Sequence, residues 1–351
     1  GIAVFFGAFL VPKDLTVVLR QVSMRCLKGG KTTKKVLGIL LATLLLSIHG
    51  VVQAADKVRI AFPTFNVVFF TAGLAQERDF FKEQGLEAEI IRMTAPVCIM
   101  ALANGDIDYT MVTGSVIQGA LRGLPLKLIA GFLDRPTVTL IALPKYKSVR
   151  DLRGRTLGIS AFEAQPHVMA RMIMKHFGIE LDKEVKVLAL GSEDARFAAL
   201  RQGIVDGIML SPPADAEGRR LGFNILARAS EFFNYPTAGL ATRVQKIKER
   251  PDEVKRILKT MIKANRFIRE NREGANQVLA KWGRTDMERA TASYDSTWSV
   301  YSPDGSIPED GLRLIIEDTR KALRIAREVS FGEVADFTLL HEAQRELGIR
   351  R

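Results

Sequence analysis

The residues whose types and spacing could do chemistry are few. Gly158-Ile159-Ser160-Ala161-Phe162 follows an apolar run and precedes a helical stretch, the context of a nucleophilic serine on the sharp strand-to-helix turn of an α/β hydrolase. Phe162 stands where that turn needs a small residue, and beyond residue 54 the bases on offer are His167, His176 and His341. Cys98 has Val97, Ile99 and Met100 for neighbours, which predicts a buried thiol rather than a reactive one. The spacings HExxH and CxxC and the EF-hand loop are absent, so neither a metal nor another cofactor is expected.

Reversible capture of a small solute has more residues behind it. Hydroxyls, amides and small residues fall in short stretches between apolar runs and helices: Thr64, Phe65 and Asn66; Thr113, Gly114 and Ser115; Ser160, Ala161, Phe162 and Gln165; Ser192; Ser211 and Pro212. At helix starts such groups suit an anion or a polar head, while Phe65, Phe162 and Tyr235 could wall an apolar or aromatic part. Each of them taken alone could equally be an N-cap or turn residue. Arg135 could grip an anionic group bidentately or join a hinge ion pair. His167 is expected to face solvent from its helix, and Trp298 and Tyr301 to pack between helices.

What must position these groups is a unit that the chain uses twice. Ala101 to Val112 and Ala199 to Leu210 each read as a helix end stopped by glycine, a turn carrying Asp, and an apolar strand, with Asp108 and Asp206 at matching places. Upstream, Phe80 to Ile91 corresponds to Met174 to Ile179 followed by Val185 to Leu190. Downstream, each copy adds a helix and a strand, Leu126 to Ala130 in one and Asn224 to Ala227 in the other. Alternating strands and helices predict parallel sheets covered on both faces. Two such lobes leave a cleft at the carboxyl ends of their strands, where the stretches named above lie.

One helix is expected from Phe69 to Gln84. After the second lobe three helical segments are expected. Pro251 opens the first, with a stripe of Val254, Ile257, Leu258, Met261, Ile262, Phe267 and Ile268; the others follow Pro308 and cover Asp336 to Leu347. The chain crosses between lobes near Thr137 to Tyr146 and Tyr235 to Leu240. The first lobe is therefore expected over 55–140, with 240–351 returning to it, and the second over 141–239.

The 351 residues, 47% of them apolar, are enough for two such cores. From Met24 the chain reads as a secretory leader over 24–54: a basic stretch from Arg25 to Lys35, an apolar one from Val36 to Ile48, and Val52-Gln53-Ala54 as a cleavage site. Residues 1–23 read as upstream translation of non-coding sequence, with a longer leader using Ile2 to Val11 as the alternative. The net charge of +12 is partly theirs: residues 1–54 hold seven Lys/Arg and one Asp, leaving about +6 on the rest. That remainder is interleaved with acids along helices such as Lys246 to Arg272, so no nucleic-acid partner is expected.

Several stretches together carry a family likeness. Ala75-Gln76-Glu77-Arg78-Asp79-Phe80-Phe81-Lys82-Glu83-Gln84-Gly85-Leu86 is similar to A-x-x-x-G-F-F-x-x-x-G-L, with Arg78-Asp79 where glycine is usual. Ala103 to Asp108 resembles an x-x-G-x-x-D turn, Ser148 to Arg155 an S-x-x-D-L-K-G-K entry, and Arg250 to Val254 with Ala264 to Asn271 a P-x-x-V … A-x-x-F-I-x-x-N helix. From about Lys57 to Gly348 the chain resembles the periplasmic substrate-binding proteins of ABC importers, in the nitrate, sulfonate, taurine and thiamine-precursor binding group. The resemblance implies an α/β protein of the two-lobed periplasmic-binding-protein fold (type II), each lobe a parallel-rich sheet flanked by helices. It implies a periplasmic monomer, not an enzyme, that closes on a small organic or anionic solute and delivers it to an ABC permease in the inner membrane with its ATPase. Relatives of the group include pyrimidine-precursor synthases with a cysteine-rich iron motif, which Cys98 alone does not supply. That reading and the Ser160 hydrolase stand as the alternatives.

Overall fold

The computed structural model describes residues 55–349 apart from Glu163. The leader expected over 24–54 and the segment before it lie outside the described residues. β1 (Asp56–Phe62) leads through a short 3-10 turn to α1 (Phe70–Glu77) and α2 (Phe80–Glu83); then come β2 (Leu86–Arg92), α3 (Ala95–Asn104), β3 (Tyr109–Val112), α4 (Thr113–Leu121) and β4 (Leu126–Leu133). The single helix expected over Phe69 to Gln84 is broken, because Asp79 sits in the left-handed region at φ 57° and cannot continue it. Gly105, at φ 93°, ends α3 as expected of a glycine after a helix.

The second half repeats the plan. β5 (Thr139–Ala142) crosses over, and β6 (Thr156–Ile159), α5 (Gln165–His176), β7 (Lys186–Ala189), α6 (Glu193–Arg201), β8 (Gly207–Leu210), α7 (Ala214–Arg220), β9 (Asn224–Arg228) and α8 (Ala229–Phe232) follow. The entry motif at Ser148 is a capping box: the Asp151 carboxylate accepts the N–H groups of Lys147 and Ser148 at 2.8 and 2.9 Å. β10 (Ala238–Arg243) returns to the first sheet.

Two five-stranded sheets result, ordered β2-β1-β3-β10-β4 and β7-β6-β8-β5-β9. Strands β1, β2 and β3 are parallel, as are β6, β7 and β8, while β10 and β5 run antiparallel to both their neighbours. Each sheet is thus completed by a strand from across a crossing. The lobes exchange one strand, and the loops after β1, β3, β6, β7 and β8 leave at carboxyl ends.

The C-terminal region holds more helices than the hydrophobic stripe predicts: α9 (Val244–Glu249), α10 (Pro251–Glu270), α11 (Arg272–Trp282), α12 (Met287–Thr297), α13 (Glu309–Ala322), α14 (Phe331–Val334) and α15 (Thr338–Glu346). In α10 the predicted stripe is buried except for half-buried Phe267. Buried Asn265 fastens this helix. Its Oδ1 accepts from the Thr71 hydroxyl at 2.7 Å, and its amide donates to the carbonyls of Phe132 and Ser302 at 2.9 and 2.7 Å.

Candidate functional site

On the first lobe the strand ends are walled by aromatics. Phe62, the last residue of β1, stacks on Phe69 at 5.0 Å, and the Trp282 indole meets Phe65 edge-on at 4.7 Å and Phe62 at 5.8 Å. Trp282 Nε1 donates to the Asn66 carbonyl at 3.1 Å. The indole fits because position 73 is glycine: a Cβ there would lie 2.4 Å from a ring carbon. Asn66 serves as an N-cap, its Oδ1 accepting the Val68 N–H at 3.0 Å, and Thr64 is exposed.

On the second lobe Ser192 also serves as a cap, accepting the Ala195 N–H at 3.2 Å, and the next residue carries the chemistry. Glu193 Oε1 accepts the Ser211 N–H at 3.1 Å and lies 3.6 Å from the Arg196 guanidinium, so one carboxylate joins the ends of β7 and β8. Burial pushes the Glu193 carboxyl above the usual carboxylate range; the Ser211 N–H and Arg196 pull the other way. Arg196 is itself buried beneath and donates to the Gly191 carbonyl.

A cavity of about 280 Å³ opens beside Glu193, between α6 and α7 of the second lobe and α12 opposite. Its lining is acidic. Asp194, Glu217 and Glu288 join Glu193, while Arg220 is held bidentately by Glu217 at 2.8 and 2.9 Å, and Arg289 faces Asp286 at 3.9 Å. α12 packs against α11 and the 3-10 turn after β1, which sets this cavity between the strand ends of one lobe and a helix at the strand ends of the other.

The remaining predicted residues divide. Thr113 is buried, and its Oγ1 has no hydrogen-bond partner among the described residues; Gly114 is exposed near Ile315, and Ser115 is half-buried. Ser160 is half-buried, Ala161 exposed, and Phe162 57% exposed, the largest apolar group presented at this loop. His167 corrects the expectation of a solvent-facing ring: it is buried, edge-on to Phe162 at 5.3 Å. Gln165 donates from Nε2 to the Thr237 hydroxyl at 3.3 Å, tying α5 to the returning crossing. Pro212 is buried, joined to Pro213 by a cis bond.

Arg135 reaches the Ser299 carbonyl at 2.6 Å and Asp134 at 3.6 Å, the hinge ion pair rather than an open grip. Tyr235 is buried with Asp318 beside its hydroxyl, and burial raises its pKa. Tyr301 is buried as expected and donates to the Val67 carbonyl, whereas Trp298 is 41% exposed with Arg269 over its ring. Cys98 is buried, its thiol donating to the Met93 carbonyl. His176 lies tilted against Phe232 at 4.8 Å, and His341 lies on α15.

Sequence reasoning missed Glu193, Glu217, Glu288, Arg289 and Trp282. The strand-end rule selects loop residues, and each of these stands within a helix.

The profile of the family described as NMT1/THI5 like matches residues 66–275, more than half of the chain. The chain belongs to the NMT1/THI5-like family. A relative of this NMT1/THI5-like protein in Brucella abortus, named as a binding protein, is 28% identical over 226 residues, 61% of this chain and 67% of that one. Among solved structures, the periplasmic sulfonate-binding protein SsuA of Methylobacillus flagellatus matches at a TM-score of 0.69 and 17% identity, over 85% of this chain and 97% of that one. The periplasmic nitrate-binding protein NrtA of Synechocystis matches at 0.64 and 13%, over 84% and 90%. The NMT1/THI5-like chain thus has the two-lobed substrate-binding-protein fold of the periplasmic binders of ABC importers. No helix among its described residues is long and apolar enough to cross a membrane.

Proposed function

We propose that this NMT1/THI5-like protein is an exported receptor of an ABC importer. It takes a small organic solute between its lobes in the periplasm, closes by rotation about the two crossings, and hands the solute to an inner-membrane permease with its ATPase. The lobes are 55–140 with 240–351, and 141–239; the protein acts as a monomer and makes or breaks no bond. The family match and the structural neighbours, which are named as binding proteins, support binding over hydrolysis.

The Glu193 carboxylate at the ends of β7 and β8 carries the choice of ligand. The two structural neighbours are named for sulfonate and nitrate; in this chain such an anion would meet Glu193, Asp194, Glu217 and Glu288. An organic solute with a cationic or N–H donor group satisfies these carboxylates without burying like charge against like. Phe65, Trp282 and Phe162 flank its apolar part, and Thr113 Oγ1, buried and without a hydrogen-bond partner among the described residues, supplies a hydrogen-bonding group.

Mass spectrometry of solute released from freshly exported, undialysed protein tests this, followed by thermal shift with that compound and with a panel of amines, heterocycles and sulfonates. A concentration-dependent rise in melting temperature with an amine or heterocycle is expected. Tight binding of sulfonates alone would overturn the ligand class, and ester hydrolysis lost in Ser160→Ala would overturn the receptor. Thr113→Val with Ser160→Ala should weaken binding with little loss of stability, because the Thr113 hydroxyl has no hydrogen bond to lose among the described residues.

A further inference from the structure

A second cavity, of about 510 Å³, lies between α5 of the second lobe and α13 of the C-terminal region. Met172, Phe233 and Leu314 give it an apolar floor, and His176 stands at its rim, tilted against Phe232 and edge-on to Phe233. The two acids in its lining are already taken. Glu317 receives Arg320 through Nε and NH2 and is held below the usual carboxylate range by it, and Asp318 pairs with Arg171 from the opposite wall at 3.6 Å. Lys175 on α5 and Lys321 on α13 line the same cavity and form no ion pair among the described residues.

An anion entering here meets two cations and displaces no carboxylate, while its apolar body covers Phe233 and the lysine stems. The lysines come from different parts of the molecule: α13 packs on α4 of the first lobe, with Ile315 facing Gly114, whereas α5 belongs to the second sheet. An anion seated between the two ammonium groups is attracted to both. We propose that this groove is a second binding site, for a small organic anion with an aromatic or aliphatic body, and that its occupancy favours the lobe arrangement in which α5 and α13 face each other. By linkage, the anion and the solute of the main cleft then strengthen each other's binding.

Phenylacetate is the probe, with uncharged phenylacetamide as its control, titrated calorimetrically into the purified full-length protein at low salt. Saturable phenylacetate binding is expected, weakening as salt is added and at least about tenfold weaker for the amide. Lys175→Glu with Lys321→Glu should lower the affinity at least about tenfold. Both lysines are exposed, so the variant keeps its fold, as far-UV circular dichroism will report. Phe233→Ala should weaken binding without changing the salt dependence. Absent binding, equal binding of the amide, or full affinity in the double charge reversal would each overturn the proposal.

Discussion

Asp108 and Asp206 make the same connection in the two lobes. Asp108 Oδ2 accepts the Arg59 N–H at 2.9 Å, and Asp206 Oδ2 accepts the Thr156 N–H at 3.0 Å. The Asp108 and Asp206 N–H groups in turn donate to the Arg59 and Thr156 carbonyls, at 2.9 and 2.8 Å. The pair of bonds ties β3 to β1 and β8 to β6 at the ends opposite the cleft, which sets the level at which the carboxyl ends emerge. The duplication is thus a duplicated anchor rather than a duplicated binding group.

The two anchors are not equally loaded, and that difference is measurable. Asp108 also holds Lys246, at 2.9 Å, in a buried cluster where Lys246 meets Glu253 at 2.7 Å and Tyr109 donates to Glu253. Asp206 takes the neutral Tyr146 hydroxyl, with Lys145 at 3.8 Å. Asp108→Ala should cost about 2–4 kcal/mol, since it leaves a half-shielded ammonium and a strand N–H short of an acceptor, and Asp206→Ala about 1–2 kcal/mol. Urea unfolding measures both; equal costs, or a cost for neither, would remove the anchor role.

Asp79→Gly should stabilise the protein. The left-handed conformation at φ 57° costs a non-glycine residue about 1 kcal/mol, against an exposed Asp79–Lys82 ion pair at 2.7 Å that returns less than that. Asp79→Ala keeps the strain and loses the pair. The melting temperature should therefore rise for glycine and fall for alanine, and a fall for both would show that the carboxylate matters more than the backbone.

The same residue marks where sequence was and was not sufficient. A glycine is usual at this place in the family pattern, so the turn was legible from the resemblance, while helical continuity through Phe69 to Gln84 pointed the wrong way. The strands and glycine stops were readable because their apolar runs are buried almost throughout, as in β3 and β8. The wall of the cleft was not. α12 buries Ala290, Ser293, Tyr294 and Thr297, small or polar groups that leave no apolar stripe, so Glu288 and Arg289 carried no signal. Ser192 was visible as a loop hydroxyl and caps its own helix; Glu193 beside it looks in sequence like any first-turn acid.

Gly73→Ala should disturb the aromatic wall. The added methyl would lie 2.4 Å from the Trp282 ring, and the indole could yield only by giving up its contacts with Phe62 and Phe65 and its bond to the Asn66 carbonyl. Overpacking of this kind costs about 1–3 kcal/mol. Tryptophan fluorescence should shift along with the loss of stability, and an unshifted spectrum would mean that α1 moves instead.

Glu193→Gln should change which solutes are held while altering stability little. The folded-state carboxyl keeps its proton more tightly than an unfolded one, so its charge costs stability above the folded pKa, a cost that fades as pH falls through it. The amide removes that cost, weakens the pairing with Arg196 and leaves the guanidinium its bond to the Gly191 carbonyl, opposing effects of similar size. In binding there is no such cancellation. Organic cations that raise the melting temperature of the wild-type protein should do so less in the variant, and sulfonates should gain. In the wild type the cation effect should fade on acidification, beginning above the usual carboxylate range, because burial raises the Glu193 pKa. A thermal-shift series from pH 8 to about pH 4 reads both trends. A cation effect that persists unchanged to the acid end, or is the same in wild type and variant, would take Glu193 out of the site.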